Sequence, residues 1–197
     1  MKKIKVFSDY VCPFCYIGFT IADKIVNEDK EDVEFIWYPR ILNEELKGDV
    51  KNLSKHMPKE QREMAYNRIL SLAKEYDLSY DNKDLTFDST RAHKASLFAR
   101  DNNKFYEFSR LVFRAVFEDG ENIYKKEVVD KLANQAGLDV DKMNDAVDSG
   151  YYDKELENAK LLKEELNVES VPTFILEDGT KVYNLKEYKL FKEDLLK

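Results

Sequence analysis

SDYVCPFCYIGF, residues 8–19, contains both cysteines of this 197-residue chain. Cys12 and Cys15 are separated by Pro13 and Phe14, so the two thiols form an isolated Cys-Pro-Phe-Cys motif. Because there is no third cysteine, the pair cannot belong to a framework of several disulfides. The motif therefore indicates chemistry rather than covalent architecture.

The motif lies at the junction of a predicted strand and a predicted helix. Residues 3–8, KIKVFS, alternate between lysine and apolar side chains, which indicates a short strand with one buried face. Residues 13–28 have isoleucines at helical spacing, and Pro13 suits a first helical turn, where its missing N–H is not needed. A second strand, VEFIWY at 33–38, is expected to end at Pro39. The chain thus begins β-α-β.

Helical patterns fill the middle of the chain, and β patterns return near its end. Amphipathic segments after residue 43 predict a series of helices, several of which end at glycine. A run at 173–176, an Asp178-Gly179 turn and a run at 181–183 predict a hairpin, which a last helix follows. The predicted fold class is α/β, with a large inserted all-helical domain. The predicted domains are a discontinuous one of residues 1–42 and 168–197 and an inserted one of residues 43–167.

The composition argues against several classes of function. The net charge is −7 at pH 7, which is unsuited to nucleic-acid phosphates or anionic lipids. No apolar run approaches the ~18 residues of a membrane helix. The start MKKIKVFSDY lacks the apolar core of a signal peptide. We therefore expect a cytoplasmic location, where thiols are kept reduced, with no nucleic-acid partner and no membrane partner.

Thiol–disulfide exchange is the chemistry that a Cys-x-x-Cys pair favours in a β-α-β setting. The reactive species is the thiolate, and the first amides of the helix favour negative charge on Cys12. Cys15, one turn further along, is expected to be more buried, so we expect Cys12 to attack and Cys15 to resolve the mixed disulfide. Two alternatives remain: two ordinary buried cysteines, or half of a zinc site completed by residues such as His56 and His93.

Residues on either side of the cysteines are also candidates for the site. For Asp9, three residues before Cys12, capping or solvation of the junction is preferred to a role in proton transfer. Phe14, Tyr16 and Phe19 are candidates for an apolar rim that docks peptide substrates.

CPFCYIG at 12–18, together with SVPTF at 170–174, resembles the thioredoxin-like family. With a helical block between the two β parts, the chain is most similar to the DsbA-type branch. The resemblance implies an α/β thioredoxin fold with a large inserted all-helical domain. Within that branch it resembles FrnE-type cytoplasmic proteins, whose motif is usually Cys-Pro-Trp-Cys-Tyr-Ile-Gly. The segments YPRILNEE, STRAHKASLFA and LVFRAVFEDGENI agree in place and order, so the resemblance spans nearly the whole chain.

The resemblance implies further site residues. Pro172 would be cis, and Val171 would offer backbone groups to an extended substrate opposite the cysteines, as in β-strand addition. Thr173 would line the same groove, and His93 would face the active site from the helical domain. From the residues alone, Pro172 could equally be a proline at the start of a strand, and His93 a packed or surface histidine.

The predicted function is disulfide exchange with protein, peptide or small-thiol substrates, without a metal, flavin or nucleotide cofactor. Glutathione, a possible co-substrate, or another dithiol protein would exchange electrons with the pair. Phe14 stands where periplasmic DsbA-type oxidants usually have His, so the resemblance does not imply a strong oxidant. Two other functions remain open: a glutathione-dependent isomerase resembling the 2-hydroxychromene-2-carboxylate isomerases, and a module that binds peptides or thiols without turnover. Those isomerases typically have Ser for the first Cys and lack the second.

Overall fold

A computed structural model describes residues 1–46, 51–52, 58–81 and 85–197. The strands in these residues are β1 (Lys2–Ser8), β2 (Val33–Pro39), β3 (Lys51–Asn52), β4 (Leu85–Thr86), β5 (Thr173–Ile175) and β6 (Lys181–Val182). The α-helices are α1 (Pro13–Asp23), α2 (Lys59–Ala73), α3 (Thr90–Asp101), α4 (Phe105–Phe117), α5 (Lys126–Gln135), α6 (Val140–Asp148), α7 (Asp153–Glu165) and α8 (Tyr188–Leu196). None of the helices in these residues is both long and apolar enough to cross a membrane.

The main sheet joins the two ends of the chain. Its strand order is β2-β1-β5-β6, with β1 parallel to β2 and antiparallel to β5. In this register Phe7, near the end of β1, pairs with Thr173, the first residue of β5. The loop that follows β1 and the loop that precedes β5 are therefore neighbours, although some 160 residues separate them in the sequence. This neighbourhood is what forms the site.

The first strand is buried on both of its faces at the end nearest the site. Ile4 and Val6 are almost fully buried on one face, as the alternating pattern predicted. Phe7, on the opposite face, is also fully buried and packs with Val168 and Ile175. The prediction of a single buried face was incomplete because β1 is a central strand, whose two faces are both covered.

The helix after the cysteines follows the predicted span, with one difference. The α-helix ends at Asp23, and the chain continues as a π-helix over Lys24–Glu28. Ile17, Ile21 and Ile25 form the fully buried stripe that their spacing predicted.

The inserted region is mainly helical but contains a small sheet. The two-residue strands β3 and β4 pair antiparallel within it, a detail that the predicted helical insertion did not include. Strands this short have no periodicity that a sequence pattern could reveal. The predicted aromatic core is confirmed for Phe108, Phe113 and Phe117, while Phe105 and Tyr106 are partly exposed at its edge.

The predicted C-terminal hairpin is present. Strand β5 pairs with β6, and Gly179 has φ +86°, a value that suits glycine in a tight turn. The Asp178 side chain accepts the N–H of Thr180 at 2.8 Å, which closes the turn.

Candidate active site

Cys12 and Cys15 lie at the amino-terminal end of α1 as free thiols, 3.5 Å apart. Cys12 is the residue before the first helical position, and its extended backbone has φ −96° and ψ 116°. Its carbonyl oxygen accepts the N–H of Cys15 at 2.9 Å, and Pro13 occupies the first turn as predicted. Cys12 therefore stands beside the free amides of the first turn, which favour negative charge.

The two thiols differ in accessibility. Cys12 is 8% exposed, whereas Cys15 has no exposed surface. Burial raises the pKa of the Cys15 thiol well above its usual range, and the hydrogen bond with Cys12 raises it further. A substrate can reach Cys12 but not Cys15, which is the order of accessibility that an attacking and a resolving cysteine require.

The loop before β5 contacts the first cysteine directly. The Val171–Pro172 peptide bond is cis, as the resemblance implied. The Cys12 thiol donates to the carbonyl oxygen of Val171 at 3.5 Å. Thr173 is only 2% exposed, and its hydroxyl donates to the carbonyl oxygen of Ser170 at 2.7 Å. The side chain of Thr173 thus holds the loop together and does not line the groove, contrary to the expectation.

Gly18 is a site residue that the sequence interpretation did not single out. A Cβ atom at this position would lie 3.1 Å from Cγ of Pro172 and 3.4 Å from Phe174. The missing side chain thus lets α1 lie directly against the cis-proline loop. Glycine in the middle of a helix is destabilising, by about 1 kcal/mol relative to alanine, and this penalty was the available signal that the position has a special packing role.

Gly18→Val is expected to lower the free energy of unfolding by about 1–3 kcal/mol, because the added atoms overpack a filled contact. It should also slow the reaction of Cys12 with disulfides, since Pro172 must move away from α1. Urea denaturation and stopped-flow exchange measure the two effects. Ala22→Val, at another buried position of the same helix, is the matched control: it should affect stability but not exchange. Equal exchange rates for Gly18→Val and the control would contradict the packing role.

Asp9 is buried among hydrogen-bond donors rather than solvated. Its carboxylate accepts the hydroxyl of Ser89 at 2.5 Å, the N–H of Leu42 at 2.7 Å and the N–H of Val11 at 3.4 Å. The Nε2 atom of His93 lies 3.1 Å from the same carboxylate. Asp9 is 0% exposed and His93 is 5% exposed. Capping or solvation was expected for Asp9: solvation was wrong, while the bond from the Val11 N–H is a local capping contact. His93 faces Asp9 from the helical region.

Ser89 is the residue before the first turn of α3, but its side chain does not cap that helix. The Asp88 carboxylate accepts the N–H of Thr90 at 2.8 Å instead. The Ser89 hydroxyl is thereby free to bind Asp9, which no local pattern could have indicated.

The expected apolar rim is reduced to one residue. Phe14 is partly exposed, with the guanidinium of Arg68 5.9 Å from the centre of its ring. Tyr16 and Phe19 are 4% and 1% exposed and belong to the core, so their assignment to a rim was wrong. Both rings pack against Phe113 of α4, which covers this face of α1.

Tyr80 supports the start of α1 from the inserted region. Its hydroxyl donates to the carbonyl oxygen of Pro13 at 2.9 Å, and its side chain is almost fully buried. Burial raises the pKa of Tyr80 well above its usual range, so it remains a donor. Nothing in the sequence relates residue 80 to residue 13, and the contact was not predicted.

A surface groove of about 630 Å³ runs between the segment after β2, the start of α3 and helix α7. Arg40, in its wall, donates to the carbonyl oxygen of Glu169, just before the cis-proline loop, at 3.0 Å. Leu42 and Leu161 also line the groove and are 39% and 58% exposed.

The zinc alternative receives no support from the residues that can be described. His56 lies outside the described residues. Within the described ranges, no group of three or more His, Cys, Asp and Glu side chains is placed to hold a metal ion.

A parallel β-α-β start, a Cys-x-x-Cys pair at a helix N-terminus and a facing cis-proline define a thioredoxin-type thiol site. The chain belongs to the family of DSBA-like thioredoxin domains, which matches residues 3–195. It is 30% identical over 178 residues to the uncharacterized protein YwbO of Bacillus subtilis, covering 89% of this chain and 86% of YwbO.

Solved structures share the fold over nearly the whole chain. A probable DsbA oxidoreductase from Streptomyces coelicolor has a TM-score of 0.85 at 21% identity, covering 99% of this chain and 88% of the other. The cytosolic disulfide reductase DsbM from Pseudomonas aeruginosa has a TM-score of 0.68 at 16% identity, covering 98% of both chains. A 2-hydroxychromene-2-carboxylate isomerase has a TM-score of 0.74 at 14% identity, covering 98% and 92%. The predicted thioredoxin fold with a helical insertion and the resemblance to DsbA-type proteins are both confirmed.

Proposed function

We propose that this protein is a thiol–disulfide oxidoreductase that exchanges disulfides with protein or small-thiol substrates through Cys12 and Cys15. The observation that carries the proposal is the arrangement of three groups. An accessible thiol at a helix N-terminus lies 3.5 Å from a buried second thiol, and it contacts the backbone carbonyl that precedes a cis-proline. A nucleophile, a resolving group and a substrate-binding backbone are thereby in one place.

The reaction proceeds in two exchange steps. The Cys12 thiolate attacks one sulfur of a substrate disulfide, and the other sulfur leaves as a thiolate that takes up a proton. Cys15 then loses its proton, its sulfur attacks Sγ of Cys12, and the substrate thiolate is released. The substrate has gained two electrons, and the protein now holds a Cys12–Cys15 disulfide. Two thiols of glutathione, or another dithiol protein, reduce that disulfide again, and the same steps in reverse oxidise a dithiol substrate.

The carbonyl group of Val171 changes partner during this cycle. In the reduced protein the carbonyl oxygen accepts a hydrogen bond from the Cys12 thiol. Once Cys12 is bonded to a substrate sulfur it has no S–H left to donate, so the carbonyl becomes free. A backbone N–H of an extended substrate can then bind there, as in β-strand addition. Val171 would thus bind the substrate in the mixed disulfide.

Protein or peptide segments are favoured as substrates by a groove whose wall is linked by Arg40 to Glu169, just before the cis-proline loop. Its volume of about 630 Å³ falls in the size range of ligand sites, and its lining combines exposed leucines with charged side chains of α7. Phe14, partly exposed next to Cys12, adds apolar surface to the same side of the molecule as the cysteines. A groove of this kind can bind the residues on either side of a substrate cysteine.

Reduction in the cytoplasm, with glutathione as electron donor, is the proposed direction. DsbM, which shares the fold, is described as a cytosolic disulfide reductase, and its structure has been determined with GSH. The Phe14 side chain has no group that donates a hydrogen bond to a thiolate, so it does not stabilise the reduced form as a strong oxidant requires. No metal or organic cofactor is needed for either step.

A redox titration in glutathione buffers tests the proposal, with the state of the two cysteines read by alkylation and mass. We expect one transition that involves both thiols, with a midpoint nearer the value of about −270 mV for thioredoxin than the value of about −120 mV for DsbA. The Cys15→Ser variant, which cannot form the internal disulfide, is the control for the mass assignment. A pair that forms no reversible disulfide at any buffer ratio would overturn the proposal and favour glutathione-dependent isomerisation.

A further inference from the structure

Arg40 follows the end of β2 and is bound to the segment that leads into the cis-proline loop. Its backbone N–H donates to the carbonyl oxygen of Ser8, the last residue of β1, at 2.9 Å. Its Nη2 atom donates to the carbonyl oxygen of Glu169 at 3.0 Å, and the side chain is partly exposed in the wall of the groove. Glu169 comes two residues before Val171, whose carbonyl oxygen accepts the Cys12 thiol. The guanidinium is therefore fixed close to the thiol site.

The charge of this guanidinium is not neutralised within the described part of the chain. Four other arginines each form an ion pair with a carboxylate: Arg91, Arg100, Arg110 and Arg114. Arg40 forms no ion pair among the described residues, and its Nε atom is buried without a hydrogen-bond partner. Arginine remains charged in proteins, and its planar fork of N–H groups matches a carboxylate. The Arg40 side chain is thus available to an anionic group of a ligand.

Strand addition at Val171 sets the direction of a bound substrate. A cysteine residue that exchanges both of its backbone hydrogen bonds with Val171 runs antiparallel to the loop. The residue after that cysteine then lies towards Ser170 and Glu169, where Arg40 is bound. One residue of extended chain spans about 3.5 Å, so a carboxylate that ends the substrate one residue after its cysteine comes close to Arg40. Glutathione has this arrangement, because a C-terminal glycine follows its cysteine.

We propose that Arg40 is a specificity-determining residue that binds the glycine carboxylate of glutathione during exchange at Cys12. The inference rests on the proposed function and names the contact that selects glutathione as the electron donor.

The contact acts in both steps by which glutathione reduces the protein disulfide. The first glutathione thiolate attacks Sγ of Cys12, and Cys15 leaves as a thiolate that takes up a proton. A second glutathione thiolate attacks the sulfur of the bound glutathione, which releases oxidised glutathione and the Cys12 thiolate. The two glutathione molecules have lost two electrons, and the cysteine pair has gained them. Arg40 orients the first glutathione as it attacks and holds it until the second arrives.

Glutathione and its glycine monoethyl ester test the contact, since the ester lacks only the charge of the glycine carboxylate. The oxidised protein is mixed with each thiol in excess, and loss of the Cys12–Cys15 disulfide is followed by alkylation and mass. For the wild type we expect a second-order rate constant about tenfold larger with glutathione than with the ester, the effect of one charge-assisted contact. In Arg40→Gln the rate constant with glutathione should fall about tenfold, and the rate constant with the ester should stay within about twofold.

Two further variants separate the contact from the general positive charge and from the fold. Arg68→Gln is the matched control, because the exposed guanidinium of Arg68 lies 5.9 Å from the ring centre of Phe14, next to the cysteine pair. This variant should keep the preference for glutathione over the ester. Arg40→Lys retains the charge but not the planar fork, so about a threefold preference should remain. It also provides the test if Arg40→Gln does not fold, as judged by circular dichroism.

Equal rate constants for glutathione and the ester in the wild type would overturn the inference, and so would a full preference in Arg40→Gln. Loss of the preference in Arg68→Gln as well would show an effect of positive charge in general, which also contradicts a specific contact. Binding of S-methylglutathione, which cannot exchange, measures the contact without any disulfide, and Arg40→Gln should weaken it about tenfold. A wild type that forms no disulfide yet shows this difference would contradict the proposed function and support the contact.

Discussion

Replacing Cys12 with serine is expected to reduce the rate of substrate disulfide reduction by at least about 10³-fold, because the nucleophile of the first exchange step is lost. Cys15, the remaining thiol, has no exposed surface, so it cannot take over the attack. The measurement is the reduction of a peptide disulfide with glutathione as electron donor. The fold of the variant should be unchanged, since serine is nearly isosteric with cysteine.

Cys15→Ser is expected to have a different effect at the same site. Cys12 can still attack, but no second thiol can release the substrate, so the mixed disulfide should accumulate and be visible by mass. If Cys12→Ser accumulated the mixed disulfide and Cys15→Ser did not, the two roles would be reversed. A binding module would be the better description if two results were found together. The wild type would show no turnover, and the double variant Cys12→Ser, Cys15→Ser would bind peptides as tightly as the wild type.

The parts of this site that could be predicted from sequence are local. The Cys-x-x-Cys spacing, Pro13 in the first turn and the Asp178-Gly179 turn all depend on residues within a few positions of one another, and each was found where it was predicted. Local backbone preferences decide such features almost independently of the rest of the chain.

The contacts between the site and the helical region could not be predicted, because they join distant segments. Asp9 was expected to cap the junction or to be solvated, yet two of its partners, Ser89 and His93, are 80 and 84 residues away. Tyr16 was expected at an exposed rim, yet α4 covers it. A buried polar side chain needs a hydrogen-bond partner, and an apolar side chain favours the core. Which residues fill these roles depends on how the helical region packs against α1.

The largest expected effect on stability is that of Phe113→Ala, which should lower the free energy of unfolding by about 3–5 kcal/mol. Phe113 is 2% exposed and belongs to α4. Its ring centre lies 4.8 Å from that of Tyr10, 5.4 Å from that of Tyr16 and 5.3 Å from that of Phe19. Two of these neighbours flank the cysteine motif, so the ring packs the helical region against the site itself.

Urea denaturation of the wild type and the variant measures this difference, and Tyr183→Ala provides the matched control. Tyr183 is 53% exposed, so removing its ring should change the stability by less than about 0.5 kcal/mol. Phe113→Leu, which retains most of the buried volume, should lie between the two. Because domains have only about 5–15 kcal/mol of stability, Phe113→Ala should leave a protein that unfolds at markedly lower urea concentration. A loss below 1 kcal/mol or so would mean that α4 contributes little to holding α1 in place. The helical region would then hold the site mainly through polar contacts, such as those of Asp9 with Ser89 and His93 and of Tyr80 with Pro13.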